Sequence, residues 1–503
     1  MRIVHICSEI APIAKVGGLA DVVYSLSKAL IAEGHQVDVI LPKYDCLDYS
    51  SLKNLKIASR DLWSYEGYQR FNNTIWHAEL DKINIYLLEP HHPSCYFSRG
   101  NIYGCPDDVE RFGYFSRAAL EYLYKSEIQP DALHLHDWPS SLAAVLYKDM
   151  YVPLGMNKTR IVMTIHNMQH QGRSSPDILS KVGLLSESYL TPECFLDPIF
   201  PLTINLLKGG IEYADAVTTV SPTYEREILT TEGSFGLFQT LKRNQNKISG
   251  ILNGIDLDTW NPATDSHLVQ QYQIGSLPRI RQEAKVENRR SLQAHCGLKE
   301  IAAPCVACIT RLVPQKGPEL IREALLRTLE LGGQFILLGS SPIEEINQEF
   351  LNLQKQLKDE NVAIILNYNE ALAHIIYAAA DMLVIPSIFE PCGLTQMIAL
   401  RYGTVPIVRK TGGLADTVFD VETSNAPLDK RNGFSFDTPD AREMKETLDR
   451  AFHCMQNQPK VWEMLIENGM RMDFSWDISA KAYLEVYTSS TEQPVENQVL
   501  GRN

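Results

Sequence analysis

At 503 residues, 45% of them apolar and 21% charged, the chain is too long for one ordinary core and has the make-up of a soluble globular protein of two or more domains. Its net charge of −14 argues against nucleic acid or anionic membranes as partners, while leaving room for a local basic pocket. No long uncharged apolar run reads as a membrane span, the N-terminus MRIVHICSEI reads as a strand rather than a leader, and ten scattered cysteines suit reduced thiols in a cytoplasmic protein.

The apolar, β-branched RIVHICSE predicts a buried strand. A Gly17-Gly18 turn follows, then LADVVYSLSKALIAEG with helical spacing, then the strand HQVDVILP. Strand, glycine turn, helix and strand make a βαβ unit and so a parallel sheet. Residues 45–110 are polar, aromatic and irregular, and read as an insertion over one face, apart from the strand INIYLLEP. Further strands are expected at DALHLHDW, RIVMTIHN and DAVTTVSP. In HLHDW, His134 and His136 fall on one strand face, with Asp137 and Trp138 next. A zinc site there lacks a convincing third ligand, so no metal is expected. TIHNMQHQG places His166 and Asn167 at the next strand's end. Polar residues and a tryptophan at adjacent strand ends suit carbohydrate: polar groups grip hydroxyls and an aromatic face covers the ring.

The crossover, with Pro262 and Pro278, leads to a second cycle near residue 303. Its first strand, PCVACIT, contains Cys305 and Cys308, which alternation points to opposite faces as two core thiols. RLVPQKGPE then offers Arg311, able to fork onto phosphate oxygens, and Lys316, a compact positive charge. The P-loop spacing is absent. The strongest local signal is SIFEPCGLTQ. Glu390 follows the strand DMLVIP, where parallel sheets bind ligands, and Cys392, Gly393, Leu394 and Thr395 open the next helix. A carboxylate beside a helix start suits gripping a sugar while its phosphate leaves. A second glycine loop, KTGGLADTV at 410–418, repeats KVGGLADVV at 15–23 in seven of nine letters. The amphipathic helix SWDISAKAYLEVY and a frayed tail end the chain.

KVGGLADV, HDW, IHNMQHQG, VSPTYEREI, GILNGIDLDTWNP, RLVPQKG, FEPCGLTQ and KTGGLADTV occur in this order. The set resembles bacterial glycogen synthases and plant starch synthases, the ADP-glucose-using branch of the retaining GT-B glycosyltransferases, and runs to about residue 487. The resemblance implies an α/β fold of GT-B architecture, with two Rossmann-like, doubly wound domains facing across a deep cleft. Residues 1–255 would form an N-terminal, acceptor-side domain and 256–474 a nucleotide-sugar domain. The segment 475–503 would be a C-terminal helix packing back on the first domain, with its tail.

By the same resemblance, Lys15, Gly17, Gly18 and Asp21 face the donor diphosphate and glucose. Asp137, His166 and Asn253 contact the glucosyl ring. Arg311 and Lys316 hold the phosphates, and Glu390 supports the oxocarbenium-like transition state. Cys392, Gly393, Leu394 and Thr395 line sugar and phosphate, Tyr368 stacks on adenine, and Tyr96, Trp138 and Asn167 contact sugar on the acceptor side. The sequence departs from the family at Asn367, Asn369 and Ile388, all beside the nucleotide pocket. Ile398 stands where many other retaining GT-B enzymes have a second glutamate, and matches the glycogen and starch synthase branch.

The implied activity is transfer of glucose from ADP-glucose to the non-reducing 4-OH of an α-1,4-glucan (glycogen), with retention and with no cofactor. The competing readings are a GT-B enzyme using UDP-glucose or another acceptor, and a catalytically inactive glucan-binding protein. A pyridoxal-dependent phosphorylase lacks a convincing cofactor-lysine motif, and a dinucleotide oxidoreductase lacks G-x-G-x-x-G after the first strand.

Overall fold

The structure is a computed structural model that describes residues 1–184 and 187–489. The tail expected to fray lies mostly at 490–503, outside the described residues. The chain forms two compact units. The first holds Met1–Thr218, Thr231–Ser249 and, at the end of the described residues, 477–489; the second holds Thr219–Thr230 and Gly250–Trp476.

The first unit is built on a nine-stranded sheet. Its strands run, in spatial order, Ile248–Gly250, Ala216–Thr219, Arg160–Ile165, Ala132–His136, Arg2–Ile6, Gln36–Pro42, Ile83–Pro90, Gln69–Leu80 and Lys53–Glu66. Arg2–Ile6 is parallel to both of its neighbours, Gln36–Pro42 and Ala132–His136. The chain builds outward from it on one side and then on the other. The order therefore reverses between Arg2–Ile6 and Ala132–His136, and the carboxyl ends of these two strands flank the crevice where such sheets bind ligands.

Residues 45–110 differ from the expected irregular insertion. Lys53–Glu66 and Gln69–Leu80 form an antiparallel hairpin that extends the sheet beyond Ile83–Pro90. Lys53–Glu66 is an edge strand with most of its residues exposed or half-exposed, so it carries no apolar alternation to read. The C-terminal helix Trp476–Thr488 belongs to this unit from Asp477 on. It buries Tyr483 and Tyr487, and Tyr487 hydroxyl lies 2.8 Å from His134 Nδ1.

The second unit has a six-stranded sheet in the order Val362–Ile365, Gln334–Leu338, Cys305–Ile309, Met382–Ile385, Val405–Arg409 and Phe434–Phe436, each neighbouring pair parallel. Its order reverses between Cys305–Ile309 and Met382–Ile385. Val306, Phe335, Leu337, Val384 and Phe434 anchor one core with Leu448, Phe452 and Trp462 from the covering helices. Cys305 and Cys308 are buried free thiols, both pushed up to about 12 by burial.

Candidate active site

In the second unit the reversal of strand order places two loops side by side. The loop after Cys305–Ile309 carries Arg311 and Lys316; the loop after Met382–Ile385 carries Ser387 and Glu390. Lys316 Nζ and Glu390 Oε2 form an ion pair at 2.5 Å, and Ser387 Oγ donates to the same oxygen at 2.8 Å. The pair is largely buried, with side-chain exposures of 18% and 7%. Arg311 is exposed, and its guanidinium has no hydrogen bond or ion pair among the described residues. The site thus holds one neutralised cation–carboxylate pair and one uncommitted fork of N–H donors. That combination suits an anionic group delivered next to a carboxylate.

The backbone behind Glu390 is held by the second glycine loop. Gly413 N–H donates to Glu390 carbonyl at 3.1 Å. A Cβ on Gly412 would lie 1.8 Å from that carbonyl oxygen, and one on Gly413 would lie 2.0 Å from the carbonyl oxygen of Cys392. Only glycines allow this approach. Gly412 also has φ +45°. Cys392 is buried, its thiol pushed up to about 12 by burial against hydrogen bonds from Asn253. Asn253 is buried, and its Oδ1 has no hydrogen-bond partner among the described residues. Gly393 has φ +74°, and Thr395 opens the short helix Thr395–Arg401.

Tyr368 is 74% exposed just ahead of the helix Glu370–Ala379, and its hydroxyl bonds Glu370. Asn369 caps that helix, accepting from Leu372 N–H at 3.0 Å, which gives this departure from the family a local reason. Ile388, the other nearby departure, is 40% exposed; Arg409 instead binds the carbonyls of Ser387 and Ile388.

In the first unit the strand Ala132–His136 ends at Asp137, a non-glycine residue in left-handed backbone with φ +54°. Such strain persists only where the surroundings impose it. Asp137 Oδ1 accepts from the N–H groups of His166 at 2.7 Å and Asn167 at 3.4 Å, so one carboxylate fixes the next strand's end. Burial pushes Asp137 up to about 7 against these bonds, and the charge of Glu9 adds to the rise. Burial lowers His166 to about 3 and keeps it neutral.

The first glycine loop is occupied from within. Glu9 Oε2 accepts from Val16 N–H at 2.6 Å and Gly17 N–H at 2.9 Å, and Tyr103 hydroxyl donates to Glu9 Oε1 at 2.6 Å. These two amides therefore already hold a carboxylate. Lys15 pairs with Asp21 at 2.9 Å, and Gly18 opens the helix Gly18–Ala32. Trp138 is half-buried and set by Gly172, where a Cβ would lie 2.5 Å from its ring. Asn167 Oδ1 accepts from Gln169 N–H in its own turn. Tyr96 is only 4% exposed, stacked on His92 at 4.2 Å and bonded to Glu66, so its ring faces are not an open platform.

His5 joins His134 and His136, with ligand atoms within 4.8 Å of one another, and supplies the third histidine that the sequence did not point to. Hydrogen bonds to His136, His166, Tyr487 and Thr164 engage every ring nitrogen of the trio except His5 Nε2. An ion coordinated by all three would have to break that network.

Ser387, Glu9, Tyr103, His5 and Glu227, which accepts from Gly412 N–H at 2.9 Å behind the second glycine loop, are supporting residues that the sequence did not point to. Only Ser387 and Glu9 carried a local signal, as polar residues just past strand ends.

A family model described as "Starch synthase catalytic domain" matches residues 2–243, and one described as "Glycosyl transferases group 1" matches residues 300–472. A glycogen synthase of Protochlamydia amoebophila is 49% identical over 97% of this chain and 99% of its own length. A probable starch synthase 4 of Arabidopsis thaliana is 48% identical over 98% of this chain and 47% of its own. The solved catalytic domain of starch synthase IV from Arabidopsis thaliana, bound to ADP and acarbose, matches with a TM-score of 0.93 at 48% identity, over 97% of this chain and 98% of that one. A sucrose-phosphate synthase from Thermosynechococcus elongatus, 19% identical with a TM-score of 0.60, shares the fold. The motifs, the two doubly wound sheets and these likenesses agree: the chain belongs to the glycogen and starch synthase family of GT-B glycosyltransferases.

Proposed function

We propose that the protein transfers glucose from ADP-glucose to the non-reducing 4-OH of an α-1,4-glucan such as glycogen, with retention of configuration. The observation that carries this reading is the buried Lys316–Glu390 pair, with the uncommitted guanidinium of Arg311 on the same loop as Lys316. Arg311 takes the donor's phosphates. Lys316 shifts part of its charge to the departing diphosphate as the glycosidic bond breaks. Glu390, freed of part of that pairing, supports positive charge on the glucosyl carbon. Attack comes from the face the diphosphate leaves, and the leaving phosphate takes the acceptor's proton. A glycosidase-type carboxylate pair is not part of this route.

Tyr368 offers its exposed ring to adenine, while Asn253, Cys392, Gly393, Leu394 and Thr395 line the donor pocket. In the first unit we assign Lys15, Gly17, Gly18, Asp21, Asp137 and His166 to donor binding and Trp138 and Asn167 to sugar on the acceptor side, with Gly17 acting through backbone that Glu9 already holds. Tyr96 is left out because its ring is buried. The reaction as written uses fixed cations and needs no metal or organic cofactor. Among the described residues no helix is long and apolar enough to cross a membrane, and we place the enzyme in the cytoplasm, where glucan and nucleotide sugar meet.

A donor panel with glycogen as acceptor tests the reading, following nucleotide diphosphate release and polymer growth together. ADP-glucose should give the highest kcat/KM. Higher turnover with UDP-glucose would correct the base, and no polymer growth with any donor would overturn the activity.

A further inference from the structure

Three imidazoles of the first unit form one hydrogen-bonded row. His5 Nδ1 meets His136 Nε2 at 2.9 Å, and His136 Nδ1 meets His166 Nε2 at 3.0 Å. The sheet register makes this row. His5 and His134 are Cα partners, His136 follows two residues on, and Thr164 pairs with His136 two residues before His166. Residues two apart along a strand share a face. At the inner end His5 Nε2 is buried with no hydrogen-bond partner among the described residues. At the outer end His166 is half-buried just past its strand, and Nδ1 is the nitrogen that His136 leaves untaken. His134 stands outside the row, with its nitrogens on Tyr487 and Thr164.

A neutral imidazole has one N–H and one bare nitrogen. Every contact in the row needs one of each, so the three rings must share a tautomer. Protons on Nε2 throughout would leave the N–H of His5 in the core without an acceptor. Protons on Nδ1 throughout leave only a bare ring nitrogen there. A buried N–H with no acceptor is the rarer defect. We propose that His5 and His136 are positioning residues that hold His166 in its Nδ1–H tautomer, so that it meets the sugar as a hydrogen-bond donor. Held so, His166 binds a hydroxyl through the oxygen's lone pair and has no outward nitrogen with which to act as a base. The sugar as its target rests on the function proposed above; the tautomer does not.

Histidine-selective 15N labelling of the full chain, read by long-range 1H–15N correlation, tests this directly. The His166 signals are assigned by their loss in His166→Gln. In the ligand-free protein His166 Nδ1 should resonate as protonated and Nε2 as bare. The reverse pattern, or an average of the two, overturns the proposal. His5→Phe removes the inner end of the row at similar volume. It should move the His166 signals toward an average and lower kcat/KM for ADP-glucose by up to about tenfold, the worth of one hydrogen bond. His5→Gln, whose amide can donate to His136, should recover most of the loss. A His166 tautomer unchanged in His5→Phe also overturns the proposal, and if that variant does not fold, the wild-type spectrum decides alone. Because the spectrum needs no substrate, a failed donor assignment and a failed tautomer assignment are separate results.

Discussion

Residues 15–23 and 410–418 agree at seven of nine positions, and each loop gives its first amides to a glutamate of its own unit. Val16 and Gly17 donate to Glu9; Gly412 donates to Glu227 at 2.9 Å. Past that point they differ. Gly17 has open space where a Cβ would go, whereas Gly412 and Gly413 lie against the backbone of Glu390 and Cys392. Asp21 pairs with Lys15 in the first loop, while Asp416 in the second accepts from the N–H and hydroxyl of Thr223. The same letters thus make an open loop that carries a lysine in one unit and a buttress for the backbone of Glu390 in the other. A glycine pair states that the backbone must come close to something; the neighbouring loop decides what.

Gly413→Ala tests the contrast between the two loops most directly. The new methyl meets a backbone oxygen that cannot give way without moving Cys392, so the cost should reach about 3 kcal/mol or more, seen as a fall in the midpoint of thermal unfolding. Gly17→Ala should stay within about 0.5 kcal/mol of wild type, since φ is −150° and the space is open. Equal effects at the two sites would refute the contrast. Next in size is Glu390→Gln. It keeps the shape but loses the charge, and kcat should drop by roughly 100-fold or more. Arg311→Ala should be milder. Its guanidinium makes no hydrogen bond or ion pair among the described residues, so stability should hold while KM for the nucleotide sugar rises about tenfold, the share of one charge-assisted contact. An unchanged KM would remove Arg311 from the phosphate site.

Much of this was legible in the sequence because the chemistry sits where strands end. The residues after IVHI and HLH flank the reversal of the first sheet, with VMTI on the next strand, and those after CVACI and MLVI flank the reversal of the second; each stands next to a run of apolar letters that marks its strand. Contacts across long separations were not legible. Glu9 and Tyr103 are 94 positions apart and Thr411 and Glu227 184, and no local pattern joins them. His5 reads as one polar letter in a strand until the register sets it beside His134. The hairpin of Lys53–Glu66 and Gln69–Leu80 was hidden because an edge strand facing water need not alternate. Tyr96 could be placed near the sugar by resemblance, but its burial depends on His92 and Glu66.

The two glutamates that hold the loops should differ as well, with a smaller consequence. Glu9 adds to the rise of Asp137, which owes most of its shift to burial. Titrating near 7, Asp137 is ionised above that pH and protonated below it. The ionised form accepts best from His166 and Asn167, so kcat/KM should fall as pH drops through about 7. Stability has the opposite sign. A carboxyl raised in the folded state is harder to ionise there than in the unfolded chain, so stability is lost as pH rises from about 4 toward 7. Glu9→Gln removes the neighbouring charge but can still accept from the loop amides. The acid limb of kcat/KM should therefore move to lower pH, by less than burial had raised it, and Asp137→Asn should abolish the limb. The matching change at Glu227 should leave the limb where it is. A limb that follows Glu227→Gln, or ignores Glu9→Gln, would show that the two loops do not differ in the way their surroundings indicate.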